Sequence, residues 1–403
     1  MKIVYINTLY HPNSVGGAAK SVELLVEEAL KNNHTPIIIT LTDKSDYIEY
    51  VANVKIYYIN HSNIYWLKNA DGKKNILKLF WHIIDMYNPF IYLKLIKILK
   101  VEKPNVINTN NIAGFSIAPW LAGKKLKIPM VHTIRDYNLL CAKGTMYRKN
   151  ENCDKRCISC RSLTYFKKMK SNINYVNHVT GISQYVIEKH EKFGYFKNVR
   201  STHIPNVTSD FKFLGKSLEK KRNLRILYLG RIEKEKGITR VIEVINKFKE
   251  VELYLGGTIH DTNVKKNIEE KKYNENIKFL GYVNPVDILP EIDILIVPSL
   301  WEEPFGRVVI EAYQFGKPVI GTYRGGISEL ILNGVTGFLY HPENNEELKN
   351  IINNILKDKS ILETMTENIQ KNFASTYNSK IINKRYFNLY LEVANLKNND
   401  KEY

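Results

Sequence analysis

Cysteine is scarce. The 403 residues hold four, all between positions 141 and 160, so no disulfide framework runs through the fold. No run of 18 uncharged apolar residues occurs, which excludes a membrane-spanning helix on length and apolarity. The first residues, MKIVYINTLYHPNS, lack the long apolar centre of a signal peptide and read as a first strand. There is no Asp-x-Asp segment, so a bound divalent metal is not required by the sequence, and no cofactor is expected for catalysis. Collagen-like, coiled-coil and low-complexity patterns are missing, as is any repeat at solenoid periods. These absences leave a globular protein, expected in the cytoplasm, with peripheral attachment to the inner face of the plasma membrane as the alternative.

Acidic residues are also under-represented. Against 59 Lys and Arg stand 41 Asp and Glu, a formal net charge of +18. Two readings stand. One is an anionic partner: lipid, phosphorylated substrate or nucleic acid. The other is a coding bias toward Lys, Asn and Ile along the whole chain.

What is present is an alternating α/β pattern. KIVYIN, TPIIITLT, NVINTNN, IPMVHTI and HVTGIS read as short buried strands separated by polar or helical segments. The pattern fades over 205–222, which begins with Pro-Asn, ends in a charge run and reads as a linker. It restarts with NLRILYLGRI, VELYLGGT, NIKFLGYV, IDILIVPS and KPVIGT. The expected fold class is α/β: two Rossmann-like, doubly wound domains facing across a cleft. Residues 1–205 form an N-terminal domain and 206–375 a C-terminal one. Residues 376–403 form a last helix returning toward the first domain, with Ile381, Ile382, Phe387, Leu389 and Val393 on its apolar face.

Within WEEPFGRVVIEAYQFGKPVIG two carboxylates interrupt an apolar stretch. Pro304 and Gly306 place a helix start near Arg307. Glu303 then lies on the loop after the strand IDILIVPS, and Glu311 about one turn into the helix. Backbone N–H groups at such a start hold phosphate, and a carboxylate one turn further in accepts two hydrogen bonds from a vicinal diol such as ribose. The bland alternative is acidic charge favoured by the helix dipole. In LGRIEKEKGI, Arg231 and Lys236 follow the second domain's first strand and suit a diphosphate. RGGISEL gives a further glycine-rich turn. Gly16 and Gly17 precede a helix and permit close approach of a ligand, or simply a tight turn.

LGRIEKEKGI, VPSLWEEPFGRVVIEA, FGKPVIGTYRGGISELI and NGVTGFLYHPEN, in that order, resemble the retaining glycosyltransferases of family 4, which have the GT-B fold. GGAAKSVELLVEEAL, VHTIRDY, TGIS and IPN extend the resemblance into the first half. It implies transfer of a hexose from a UDP- or GDP-sugar to a saccharide or lipid-linked acceptor, as in surface polysaccharide synthesis, with retention at the anomeric carbon. By motif position Glu303 would hold donor-sugar hydroxyls and Glu311 the ribose. Arg231 and Lys236 would neutralise the departing diphosphate. Backbone N–H groups around Phe305, Gly306, Arg307 and Val308, and at Gly16 and Gly17, would cradle the donor. Many members carry His-Asp where this chain has Arg135 and Asp136, expected near the donor sugar. Arg135 cannot act as a neutral base. His132, three residues earlier in the strand, reads as packed.

Cys141, Cys153, Cys157 and Cys160 lie in a loop rich in Lys, Arg and Asn. Four thiolates satisfy a structural zinc, while free thiols in a loop are the plain alternative and an iron–sulfur cluster a remote one. Over 73–104 apolar, aromatic and basic residues mingle. Lys94, Lys97 and Lys100 alternate with Ile91, Leu95, Ile98 and Leu99, and Trp66, Trp81 and Tyr92 are placed for an interface. An amphipathic segment on an anionic bilayer competes here with a core-facing helix pair. Other functions remain in view: a GT-B-fold sugar-nucleotide epimerase, a degenerate scaffold, or a basic nucleic-acid-binding protein. No zinc-finger, RNP or basic-region pattern supports the last, and no nucleic-acid partner is expected.

Overall fold

The computed structural model describes residues 1–12, 17–70, 72–208, 223–270 and 272–399. Gly16 and most of the expected 205–222 linker lie outside them. Among the described residues sixteen strands occur in chain order: β1 Lys2–Ile6, β2 Thr35–Thr42, β3 Tyr47–Val51, β4 Val54–Asn60, β5 Val106–Thr109, β6 Met130–Ile134, β7 Tyr147–Arg148, β8 Glu151–Asn152, β9 His178–Gly181, β10 Arg200–His203, β11 Leu224–Leu229, β12 Val251–Gly256, β13 Ile277–Gly281, β14 Ile294–Val297, β15 Val319–Thr322 and β16 Gly337–Tyr340.

The chain divides into two compact units. The first comprises residues 1–146, 154–207 and 382 onward; the second comprises 147–153 and 208–381. The first unit holds an eight-stranded sheet in the order β10-β9-β6-β5-β1-β2-β4-β3, parallel except for β3. Its central strands are near-continuous apolar runs because parallel strands are covered on both faces. From Pro36 onward every β2 residue is buried. One core cluster joins Ile3 and Tyr5 of β1 to Val22, Leu25 and Val26 of the Gly17–Lys31 helix. The same cluster takes Ile382, Tyr386, Phe387, Leu389, Tyr390 and Val393 of the Ser379–Asn399 helix, whereas Ile381 is exposed.

Residues 73–104 form two helices, Asn75–Ile84 and Pro89–Glu102. Asn88 caps the second by accepting from the N–H of Ile91 at 3.2 Å. Ile91, Leu95 and Leu99 are buried, the i, i+4, i+8 stripe of a core-facing helix. Trp66 and Trp81 are 5% and 3% exposed, so neither stands at an interface as the sequence suggested. The Trp81 indole instead donates to the carbonyl of Tyr65 at 3.0 Å.

The second unit holds a six-stranded, wholly parallel sheet in the order β13-β12-β11-β14-β15-β16. Counted from β11, this is the order 3-2-1-4-5-6 of a dinucleotide-binding fold, with its switch point between β11 and β14. The sixth strand was not expected from the sequence. It is four residues long and starts at Gly337, where an added Cβ would lie 2.0 Å from the Val319 carbonyl oxygen.

Candidate active site

In a doubly wound sheet, ligands bind beyond the carboxyl ends of the strands, beside the switch point. In the second unit that place belongs to the loops after β11 and β14, which carry Arg231, Lys236 and Glu303. The two loops are tied together: the N–H groups of Leu300 and Trp301 both donate to the Glu235 carbonyl, at 2.9 and 3.2 Å. The approach depends on Gly237, at φ 73°, where a Cβ would lie 2.0 Å from the Pro298 carbonyl oxygen.

Lys236 Nζ sits 2.9 Å from Glu303 Oε1, and both side chains are largely buried. Ser299 Oγ donates to the same oxygen at 3.1 Å, and the ammonium lies 4.8 Å from the centre of the Trp301 ring. The Arg307–Gln314 helix starts after Gly306, and Arg307 Nε reaches Glu311 Oε1 at 2.8 Å across one turn. Phe305 is buried, so only its backbone can meet a ligand; Val308 is half-buried. Gly325, at φ 53°, backs this loop: a Cβ there would lie 2.3 Å from the Glu303 carbonyl oxygen. The Gly326 N–H donates to that carbonyl at 2.7 Å. Arg231 is 65% exposed and bonds Glu233 at 2.9 Å. Burial raises the Glu233 carboxyl above its usual range, opposed by Arg231 and reinforced by Glu235.

The first unit places Arg135 and Asp136 just beyond β6. Arg135 is buried. Its Nε donates to Asn110 Oδ1 at 2.7 Å and its Nη1 to Asn206 Oδ1, which also accepts from Ser21 Oγ at 3.1 Å. The single hydroxyl proton of Ser21 is shared with the carbonyl of Gly17, 2.8 Å away. Asp136 accepts from Asn111 Nδ2 at 2.6 Å and from the N–H of Asn138 at 2.8 Å, while burial pushes its carboxyl upward. His132 is packed, as its strand position implied. It contacts Thr109 Oγ1 at 2.9 Å and lies against Trp120 and Phe196, and burial holds its pKa down to about 3. A cavity of about 290 Å³ in this unit is lined by Trp81, His82, Asp85, Asn111, Asn138 and Lys143, among others.

Sequence reasoning missed Asn110, Asn111 and Asn206 as partners, and Ser299 and Trp301 as supports of the Lys236–Glu303 pair. The clues were there: NTNN at the end of β5, IPN at the start of the expected linker, and the tryptophan beside the two glutamates.

Of the four cysteines, Cys153 belongs to the second unit and the others to the first. Cys141 and Cys160 sulfurs are 3.6 Å apart. Two thiolates about 2.3 Å from one tetrahedral zinc lie roughly 3.8 Å apart, so this pair fits. The hydrogen bond from Cys160, then the N–H groups of Met146, Lys143 and Thr145, pull the Cys141 thiol down to about 5 against the effect of burial. Among the described residues no three His, Cys, Asp or Glu side chains are gathered to hold a metal. Among them, too, no helix is long and apolar enough to cross a membrane.

Comparison with known proteins shows the family and the fold. The family profile "Glycosyl transferases group 1" matches residues 210–372 and "Glycosyltransferase Family 4" matches 15–209. An uncharacterized 42.6 kDa protein in the cps region of Klebsiella pneumoniae is 31% identical over 82% of this chain and 87% of its own length. The capsular polysaccharide biosynthesis glycosyltransferase CapM of Staphylococcus aureus is 26% identical over 74% of this chain and 79% of its own. The crystal structure of Anabaena Alr3699/HepE in complex with UDP superposes with a TM-score of 0.72 at 18% identity, covering 97% of this chain and 100% of that one. The fold is GT-B, and the chain belongs to glycosyltransferase family 4.

Proposed function

We propose that this glycosyltransferase is retaining and moves a hexose from a UDP- or GDP-sugar to a saccharide or lipid-linked saccharide acceptor in surface polysaccharide synthesis. The observation that carries the reading is the pairing of Lys236 with Glu303 and of Arg307 with Glu311 beside the switch point of the second sheet. Each pair sets a cation next to a carboxylate, the combination needed to hold a diphosphate and sugar hydroxyls together. The capsular relative and the UDP-bound neighbour support the donor class and the pathway type.

In the reaction the bond from the anomeric carbon to the diphosphate oxygen breaks. The acceptor oxygen forms its bond on the same face, and its proton passes to the departing diphosphate. Positive charge develops on the sugar and negative charge on the phosphate. Lys236, Arg231 and the N–H groups at the start of the Arg307–Gln314 helix stabilise the latter. Glu303 orients donor hydroxyls, and Glu311, with acceptor capacity beyond its bond to Arg307, takes the ribose diol. Arg135 supplies charge and donors but no base. The cavity behind Trp81 and Asp85 is assigned to the acceptor.

The direct test is a thermal-shift screen with UDP, GDP and ADP and their common sugar conjugates. A ligand at about 100 times its dissociation constant adds roughly 2.7 kcal/mol, which moves the melting point by several degrees at this size. One nucleotide is expected to do so, and Glu311→Ala to abolish the shift while the protein stays folded. An unchanged shift in that variant refutes the ribose role.

Zinc is part of the same proposal, as a structural element seeded by the Cys141–Cys160 pair, whose sulfurs stand 3.6 Å apart, and completed by Cys157 only on binding. Protein purified without chelator is expected to contain zinc and to release it on Cys157→Ser. A folded, metal-free wild type overturns it.

A further inference from the structure

The Asn75–Ile84 helix is turned the wrong way for a water-soluble surface. Its inward positions 78, 81, 82 and 85, at i, i+3, i+4 and i+7, carry Lys, Trp, His and Asp. Trp81 is its one buried residue, and Asp85 just beyond it is buried too. The outward positions carry the large aliphatic and aromatic side chains. Ile76 is 54%, Phe80 51% and Ile83 46% exposed, and Leu77 and Leu79 are exposed beside them. Surface helices ordinarily bury this face. Tyr87, Phe90 and Leu93 continue the apolar surface into the next helix. A contiguous apolar patch of this kind marks an interaction surface.

Charge identifies the partner. Between residues 72 and 101 the sole acid is Asp85, and between 155 and 187 there is none. Asp85 is not available as surface charge: its Oδ2 lies 2.8 Å from Lys167 Nζ, and its Oδ1 accepts from the N–H groups of Gly114 and Ser116 at 2.7 and 3.1 Å. The ion pair pins the end of the helix to the Tyr165–Ser171 helix. Next to that junction runs a groove of about 650 Å³ lined by apolar Met86, Ile158 and Tyr165 and cationic Arg156, Arg161 and Lys168. Exposed Lys73 and Lys74 stand at the helix start.

We propose that this face of the first unit docks on an anionic lipid bilayer. Ile76, Phe80 and Ile83 enter the acyl boundary, and the lysines and the Arg161 groove meet lipid phosphates. The inward face of the same helix lines the cavity assigned above to the acceptor, so docking brings that cavity to the membrane surface. This last step rests on the proposed function; the docking itself does not.

The test is sedimentation of the full-length chain with vesicles of phosphatidylcholine alone or with about a third phosphatidylglycerol. The protein is expected to pellet with the anionic vesicles and to stay in solution with the neutral ones. Phe80→Ser combined with Ile83→Ser should lower partition at least about tenfold, and Lys73→Glu with Lys74→Glu similarly. Both sets change exposed side chains, so melting temperature and nucleotide-induced shift should match the wild type. Wild-type protein left in the supernatant with anionic vesicles overturns the proposal, as does undiminished binding by both variants. So does a dimer in sedimentation velocity that the serine variant dissolves, because the face would then be covered by a second copy. Vesicle binding without any nucleotide-induced shift would sink the donor reading and leave this one standing.

Discussion

Glu303→Gln should leave the protein folded and lower the rate of sugar transfer by about two orders of magnitude or more. Glutamine keeps the shape of the side chain, and its carbonyl oxygen can still accept from Ser299 Oγ, now 3.1 Å from Glu303 Oε1. What disappears is the negative charge. The Lys236 ammonium, 2.9 Å away, then keeps only weaker partners, the Trp301 ring among them. Two effects on transfer combine. Sugar hydroxyls lose a charge-assisted acceptor, roughly twice as strong as a neutral one. Lys236 also loses the group that fixes it, so its charge is no longer held where the diphosphate leaves. Nucleotide affinity should stay within about threefold of wild type, since the ribose contact belongs to Glu311, and the loss should fall on kcat. Single-turnover assays with saturating donor read this directly. A variant with wild-type kcat would reduce Glu303 to a structural counter-ion for Lys236.

Much of this site was readable in the sequence because its pieces are local. A run such as IDILIVPS is buried on both faces of a sheet, and the loop after it must lie at the carboxyl end where ligands bind. Glu303, Gly306, Arg307 and Glu311 are thereby placed by their neighbours in the chain. The pairings were not readable. Lys236 meets Glu303 across 67 positions and Arg135 meets Asn206 across 71, and only the folded sheets set those distances. The orientation of the Asn75–Ile84 helix was hidden for a related reason. NILKLFWHII carries Lys78 and His82 on one face, followed by Asp85, so periodicity points its apolar side inward, the opposite of what the fold does. Tertiary contacts of Trp81 and Asp85 decide it, and they leave Phe80 and Ile83 outside. The short strand GFLY escaped notice because four residues beginning with glycine carry almost no alternation.

Arg135→Ala is expected to cost about 3 kcal/mol of stability and to abolish transfer. The guanidinium is buried and joins Asn110 Oδ1 to Asn206 Oδ1. Truncation leaves the Asn110 acceptor without this donor inside the protein. It also weakens the hold on Asn206, which keeps its bond from Ser21 Oγ. An orphaned buried acceptor costs about 1–3 kcal/mol, and the cavity left by the side chain adds to that. For domains of this size the melting point should fall by roughly 6–12 °C. Stability alone does not separate scaffold from chemistry, so the informative partner is Arg135→Lys. Lysine keeps the positive charge but, as a point donor on a flexible stem, cannot reproduce the planar fork that spans both asparagines. If Arg135 acts through its charge, Arg135→Lys recovers most of the transfer rate despite an intermediate melting point. If it acts by fixing the loops that carry Asn110 and Asn206, activity follows the melting point in both variants, and KM for the acceptor rises with it. An alanine variant that transfers sugar at the wild-type rate would remove Arg135 from the active site altogether.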